Sequence, residues 1–281
     1  MTTRQIINRN PIFILSLSLV ILLTLTALPA LAKITIEDSY NKVMEAAGFE
    51  DVSIETVNGS IEVTGYDGDQ VTIDAKMEVK GKKEDICKEL LSEIEIKINE
   101  KGKELEIEAD TKDKRGYSVS VSFKIQVPHR MKIEAETVNG SIDVTDINGG
   151  ANIETINGSL NCSNMICDVD AETINGSINF DDVSGELDAE TINGSIDCES
   201  ALEPPQSISF ETINGKVNVE LKGIPDAKLN IAAVNGNIKL KGFAEVELKR
   251  NARSFSSTLG SGAGSYDIST VNGSVTFELK K

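Results

Sequence analysis

The segment Ala171-Glu-Thr-Ile-Asn-Gly-Ser-Ile-Asn-Phe180 recurs almost unchanged as Ala189-Glu-Thr-Ile-Asn-Gly-Ser-Ile-Asp-Cys198. Close variants place their Asn at positions 58, 139, 157, 175, 193, 214, 235 and 272, and a degenerate copy contains Asn148. From Asn139 to Asn235 the positions of successive copies differ by 9, 18 or 21. Self-similarity at a fixed period is typical of repeat architectures. The sequence therefore predicts a repeat protein with an elementary unit of about nine residues.

Apolar and polar residues alternate on both sides of each Asn-Gly. After Asn175, Ile178 and Phe180 are apolar and Asn179 between them is polar; before it, Ala171 is apolar. Alternation at period two indicates short β-strands with one buried face. Asn and Gly are expected to supply the positive φ of a sharp turn between the strands. The pattern predicts an all-β fold.

Two arrangements of these strands remain open from the residues alone. Asn-Gly between alternating strands is a strong hairpin signal and would give an antiparallel meander. In a β-solenoid, equivalent strands of successive coils would instead stack about 4.8 Å apart. Like charges meet in both cases: Glu190 faces Asp197 in the meander and stacks on Glu172 in the solenoid. The near-identity of successive repeat units favours stacking, because each copy then meets the same neighbours.

Residues 1–32 have the pattern of a signal peptide. Arg4 and Arg9 precede an apolar run from Ile12 to Leu28, and Ala30-Leu-Ala32 provides small residues for cleavage. The apolar segment would be long enough to cross a bilayer if it were not cut. An uncleaved N-terminal segment would then be the means of membrane attachment. Either outcome predicts an extracytoplasmic protein, secreted or associated with the cell envelope.

Residues 33–130 are expected to form an α+β cap with the first repeat strand, and residues 131–281 the repeat solenoid. Within the cap the sequence predicts a short helix at Asp38–Ala47 closed by Gly48, a helix at Glu84–Ser92, a hairpin of Ile94–Ile98 with Leu105–Ala109, and a strand from Val119 to Val127 ended by Pro128.

The charge is strongly acidic and unevenly distributed. The formal net charge is −17, and no Lys, Arg or His lies between Ile133 and Gly215. Such a surface repels nucleic acid and anionic lipid. It suits a cationic peptide or protein, or a neutral glycan, better than any polyanion.

The order of these features resembles a known family. It begins with Ile54-Glu-Thr-Val-Asn-Gly-Ser-Ile-Glu-Val-Thr-Gly-Tyr-Asp-Gly-Asp69, continues through a helix and the strand into Val127-Pro128, and ends in Ser269-Thr-Val-Asn-Gly-Ser-Val275. This resembles the prokaryotic "putative adhesin" family of β-strand-repeat domains, related to head-domain adhesin-like β-helix proteins. The resemblance implies an exported or envelope-associated protein with a β-helix-like fold, and it tips the choice towards the solenoid. Some relatives resemble components of envelope-stress responses, and the family offers no catalytic residues to carry over.

Catalytic, metal and disulfide chemistry find little support in the sequence. The single histidine, His129, adjoins Pro128 at a segment boundary, and the repeats lack a base, so we expect no enzyme. We expect no cofactor and no specific metal site, because the positions equivalent to Asp143 hold Asn, Lys and Thr in other copies. In a solenoid Cys162 and Cys198 would lie two coils apart, too far to bridge, which leaves Cys162–Cys167 as the local disulfide candidate.

The candidate ligand-binding residues are a row of turn side chains that could hydrogen-bond a regular polymer: Asn157, Ser159, Asn175, Ser177, Asn193 and Ser195. The sequence thus predicts a non-enzymatic, adhesin-like or envelope-associated binding protein that presents an acidic β-repeat surface. The alternatives are a structural or stress-response component of the envelope with a protein partner and, remotely, a polysaccharide-active β-helix enzyme.

Overall fold

The computed structural model describes residues 33–200, 204–243 and 253–280. It contains one helix and 22 strands within those residues. The strands are β1 (Ile34–Glu45), β2 (Asp51–Asn58), β3 (Ile61–Tyr66), β4 (Gln70–Gly81), β5 (Glu95–Lys101), β6 (Glu104–Asp110), β7 (Ser118–Pro128), β8 (Lys132–Asn139), β9 (Ile142–Thr145), β10 (Ala151–Asn157), β11 (Leu160–Ile166), β12 (Val169–Asn175), β13 (Ile178–Ser184), β14 (Glu186–Thr191), β15 (Ile196–Ser200), β16 (Ser207–Asn214), β17 (Val217–Lys222), β18 (Ala227–Ala233), β19 (Ile238–Lys241), β20 (Ser254–Thr258), β21 (Gly264–Asn272) and β22 (Val275–Lys280), and the helix is α1 (Glu84–Ser92).

The strands form two sheets of 11 strands each, so the all-β prediction is confirmed. Sheet A runs β1-β4-β7-β3-β9-β11-β13-β15-β17-β22-β19, and sheet B runs β20-β18-β21-β16-β14-β12-β10-β8-β2-β6-β5. Equivalent strands pair in parallel and in register through the body of both sheets, as β10 does with β12 and β11 with β13. Antiparallel pairs occur at the ends, namely β1–β4, β4–β7, β5–β6 and β18–β20. The body is therefore a solenoid-like stack and not a meander of hairpins.

Each coil of the stack has one strand in each sheet and two different turns. In the coil of β12 and β13, Asn175-Gly176-Ser177 connects sheet B to sheet A, and the chain returns to sheet B after Ser184. Asn148 lies at this second turn, where its backbone N–H donates to the carbonyl of His129 at 2.8 Å. The degenerate copy is therefore not equivalent to the other eight, and the structural unit is the full coil rather than nine residues.

The expected role of the turn residues is corrected by the structure. Among the eight Asn-Gly turns only Gly59 has a left-handed φ, of 143°, and none of the asparagines does. The glycines are needed instead because successive coils approach closely: a Cβ on Gly176 would lie 1.7 Å from the carbonyl oxygen of Gly158. Left-handed non-glycine residues occur near the second turn, at Asp146, Asn164 and Asp182 in successive coils. Asn and Asp tolerate this conformation because their short polar side chains bond locally.

The spatial order of the coils departs from the chain order at the C-terminus. β21 lies between β16 and β18, and β22 lies between β17 and β19. The last repeat, which contains Asn272, is thus inserted between the repeats of Asn214 and Asn235. β20 covers the outer side of β18 in an antiparallel pair.

The interior is filled by the alternating apolar residues. One buried cluster extends from Ala46 to Phe277 through both the expected cap and the expected solenoid, and the boundary between them stays a prediction. Phe180 and Phe210 stack with ring centroids 5.5 Å apart.

All four cysteines are free thiols, so the Cys162–Cys167 disulfide is absent from the structure. Cys162 is buried and in register with Phe180, which in turn pairs with Cys198, as the solenoid predicted. Burial raises the pKa of Cys198 to about 12. The Sγ of Cys167 instead contacts the carbonyl oxygen of Ile147 at 3.4 Å, so the two sulfurs of the proposed pair are directed to different surroundings.

The N-terminal elements are mostly as predicted, with one error. The helix at Glu84–Ser92, the hairpin of β5 with β6, and the strand that ends at Pro128 are confirmed. The helix expected at Asp38–Ala47 is wrong, because most of this stretch belongs to β1, which pairs antiparallel with β4 along its whole length. Tyr40 and Met44 pack against the core from this edge strand, so tertiary pairing overrides the local preference.

The predicted signal peptide, residues 1–32, lies outside the described residues. In the part of the chain that the structure describes, no helix is long and apolar enough to cross a membrane.

Candidate binding groove

The outward face of sheet B carries two parallel rows of side chains with opposite character. The residue directly before each turn Asn is aliphatic and faces solvent. We call these residues the aliphatic row: Val57, Val138, Ile156, Ile174, Ile192, Ile213, Val271 and Val234. Ile156, Ile174 and Ile192 are each 41–42% exposed.

For six members of this row, the residue two positions earlier is a glutamate. The glutamate row comprises Glu55, Glu136, Glu154, Glu172, Glu190 and Glu211, which are paired in register across six neighbouring strands. Ser269 continues the row on β21.

A groove of about 510 Å³ runs between the two rows, from the coil of Glu55 and Val57 to that of Ser269 and Val271. Its floor is formed by buried threonines such as Thr155, Thr173 and Thr191. The Oγ1 of Thr173 donates to the carbonyl oxygen of Gly158 in the preceding coil at 3.2 Å, and Thr191 repeats the bond to Gly176 at 3.0 Å. The threonine bonds tie each coil to its neighbour, so the walls of the groove are held at a fixed repeat.

The glutamate row is electrostatically strained. Burial, followed by the neighbouring carboxylates, raises the pKa of Glu55, Glu154 and Glu172 above the ordinary range. For Glu172 the neighbours include Glu154, Asp170 and Glu190. Burial and Asp188 likewise raise the pKa of Asp170, on the next outward row. The groove therefore favours cations over anions.

The triple change E154Q/E172Q/E190Q is expected to stabilise the protein at neutral pH. The raised folded-state pKa of Glu154 and Glu172 penalises their ionised form, and this penalty is complete above the folded pKa and absent below the unfolded value. Each directly opposed like-charged pair costs roughly 0.2–1 kcal/mol. Urea unfolding should therefore show a higher midpoint than wild type at pH 7, and the gain should disappear near pH 4.

The matched control is E62Q on sheet A, because Glu62 has an ion-pair partner, Lys124, at 2.6 Å. It should give no gain at pH 7. An equal gain from E62Q, or a gain in the triple variant that persists at pH 4, would contradict this account of the glutamate row.

A second depression of about 710 Å³ lies on the same face and is lined by Asp170, Asp188 and Asp267 among others. No group of three or more His, Cys, Asp or Glu among the described residues could hold a metal ion. The depression therefore adds negative charge to the face.

The sequence-predicted residues Asn157, Ser159, Asn175, Ser177, Asn193 and Ser195 are brought together at the edge next to the aliphatic row. The asparagines form a ladder in which the Nδ2 of Asn175 donates to the Oδ1 of Asn157 at 2.9 Å, and Asn193 repeats the bond to Asn175. The ladder continues through all eight turns, in the spatial order of the coils. The serines are half-buried, and the backbone N–H of Ser195 contacts the Oγ of Ser177 at 3.4 Å. Part of the hydrogen-bonding capacity of these residues is thus used within the stack.

The aliphatic row itself was missed by the sequence reasoning. The sequence nevertheless contains the pattern that indicates it. The residue before Asn is Ile or Val in all eight copies, and it stands at an outward-facing position where a polar residue is expected. A contiguous row of apolar residues at outward-facing positions is typical of an interaction surface.

Comparison with known families identifies the chain. The family model described as Toastrack DUF4097 matches residues 33–278. The chain belongs to the Toastrack DUF4097 family. The family resemblance inferred from the repeat is thereby confirmed, and the match includes the expected cap, residues 33–130, as well as the repeats.

Solved structures of low sequence identity are similar to the Toastrack chain. A "putative adhesin" from Bacteroides fragilis is 15% identical, with 89% of this chain and 98% of that chain covered and a TM-score of 0.43. A "putative cell adhesion protein" from Clostridium sporogenes is 16% identical, with 87% and 100% covered and a TM-score of 0.38. A "putative adhesin" from Parabacteroides distasonis is 15% identical, with 86% and 97% covered and a TM-score of 0.35. No curated protein matches the chain.

Proposed function

We propose that this Toastrack protein is an exported, non-enzymatic, adhesin-like binding protein of the cell envelope, and that the groove on sheet B is its binding surface. The observation that carries the proposal is the aliphatic row. Val57, Ile213 and Val271 are 40–45% exposed, as are the isoleucines between them. A contiguous apolar strip rimmed by polar residues marks an interaction site, whereas single exposed aliphatics are ordinary.

The chemistry of the groove favours binding over catalysis. None of the residues that line it is a Lys, Arg or His; they are Glu, Thr, Ser, Ile and Val. His129 lies at the second turn of its coil, where its Nδ1 contacts the carbonyl oxygen of Asp146 at 2.5 Å. A row of like carboxylates without a differentiated acid or base is poorly suited to proton transfer.

Export is supported by the signal-like pattern of residues 1–32. Regular repetition supports an adhesin-like role, because six neighbouring coils each add one more copy of the same Glu, Thr and Ile or Val to a long surface. Repeat proteins commonly bind through such extended surfaces.

Co-sedimentation with envelope fractions of its own host tests the proposal. Residues 33–281 should pellet saturably as wild type, and the variant I156S/I174S/I192S should lose this pelleting. The control S159A/S177A/S195A, at the adjoining turns, should pellet as wild type does. If the serine control lost pelleting while I156S/I174S/I192S retained it, the binding surface would be the predicted Asn and Ser residues and not the aliphatic row. Absence of pelleting with any fraction would refute the envelope-binding role.

A further inference from the structure

We propose that the groove binds a basic, aliphatic polypeptide segment, with aliphatic side chains against the aliphatic row and Lys or Arg side chains against the glutamate row. This inference names the partner class of the groove and depends on the proposed function. It excludes a neutral glycan as the principal ligand of this surface.

The first argument is the contrast between the glutamate row and three glutamates on the outward face of sheet A that have basic partners. On the outward face of sheet A, Lys280 lies 3.1 Å from Glu199 and 2.5 Å from Glu220, and Glu278 is paired with Lys241. In the groove, by contrast, Glu154, Glu172, Glu190 and Glu211 have no salt bridge to any described residue. The row thus presents a line of negative charge that no basic side chain of the described residues neutralises.

The second argument is that charge and apolar surface lie side by side. Glu172 and Ile174 are two residues apart on one strand, so their side chains leave the sheet about 6.6–6.8 Å apart. A metal ion would satisfy the carboxylates but leave the isoleucines in water, and a neutral sugar would leave the carboxylates repelling one another. A polypeptide that carries both Lys or Arg and Val, Ile or Leu meets both requirements.

The third argument is size. The groove spans seven coils, and six steps of about 4.8 Å make it about 29 Å long. An extended peptide advances about 3.3 Å per residue, so about nine residues would fill it. The two rows leave the sheet about 6.6–6.8 Å apart, so the strip between them is about as wide as one extended chain. A linear segment is therefore the form of partner that fits.

The probe is a labelled nine-residue peptide of alternating Lys and Val, titrated with residues 33–281 and followed by fluorescence anisotropy. Wild type should bind it saturably, at least about tenfold more tightly than peptides with Glu in place of Lys or Ser in place of Val. I156S/I174S/I192S and E154Q/E172Q/E190Q should each weaken binding about tenfold or more. Binding should also weaken between pH 7 and pH 4.5, since protonation of the carboxylates removes the attraction.

The control is D181N/E199Q/E220Q, which removes three carboxylates from the outward face of sheet A. These three residues stack in register, so the control matches both the charge change and the geometry. It should bind the Lys–Val peptide within about twofold of wild type. An equal loss in the control would mean general attraction to an acidic protein and would overturn the inference.

Two further outcomes separate the inference from the proposed function. If I156S/I174S/I192S abolishes pelleting with envelope fractions but wild type binds no Lys–Val peptide, the groove is the binding surface and the basic-segment inference is wrong. If sedimentation velocity shows a dimer that the same variant abolishes, the groove is filled by a second copy and the inference is equally wrong.

Discussion

Replacing Gly176 with alanine is expected to lower the free energy of unfolding by more than about 4 kcal/mol. The added Cβ would lie 1.7 Å from the carbonyl oxygen of Gly158, and withdrawal of that backbone would break the bond that Thr173 donates to the same carbonyl. Opening this contact would also lengthen the Asn175–Asn157 bond. Urea unfolding followed by circular dichroism measures the loss.

The control for Gly176 is Gly223, which has a left-handed φ of 90° and no atom within 4 Å of an added Cβ. Alanine there carries only the conformational cost, about 1–2 kcal/mol. If the two variants were equally stable, the turn glycines would be needed for backbone conformation, and the close approach of successive coils would be refuted.

Replacing Phe180 with alanine is expected to cost about 3–5 kcal/mol of unfolding free energy. Phe180 is 2% exposed, faces the interior from sheet A, and stacks on Phe210 of sheet B with an interplanar angle of 9°. Because the stacked pair joins the two sheets, its removal leaves a cavity between them and also forfeits the ring–ring contact. The loss should be seen as a lower urea midpoint.

Ile166→Ala is the matched control for Phe180, because Ile166 is 74% exposed. It should change stability by no more than about 0.5 kcal/mol. A comparable loss in both variants would show that the core does not lie between the two sheets as described.

The alternation around Asn-Gly was sufficient to predict the strands and their buried residues, because one side of every strand faces the same interior. Alternation could not identify the pairing partner of each strand. The insertion of β21 and β22 between earlier coils depends on contacts 37 to 58 residues apart in the chain, such as the bonds of Asn272 with Asn235 and Asn214. β1 was mistaken for a helix for the same reason, since its partner β4 lies far along the chain.

The groove could be foreseen only in part. Stacking of Glu172 on Glu190 was weighed in the sequence as an unfavourable contact, and the structure confirms the register. The predicted Asn and Ser row is assembled as expected, but its amides largely satisfy one another. The aliphatic row was not predicted because the alternation was used only to assign the buried positions. Ile174 and its equivalents occupy the outward-facing positions. Exposure, which decides whether such a residue is core or surface, is a property of the assembled sheet.

The parallel, in-register stacking of coils is tested most directly by the distance between spin labels at positions 136 and 211, in a variant whose native cysteines are replaced. Glu136 and Glu211 occupy the same position four coils apart. The stack predicts a backbone separation of about 19 Å between them. In an antiparallel meander, each repeat would contribute two strands to one sheet. The two labels would then be eight strand spacings apart, at about 38 Å. The shorter distance would support the stack on which the groove depends, and the longer distance would contradict it.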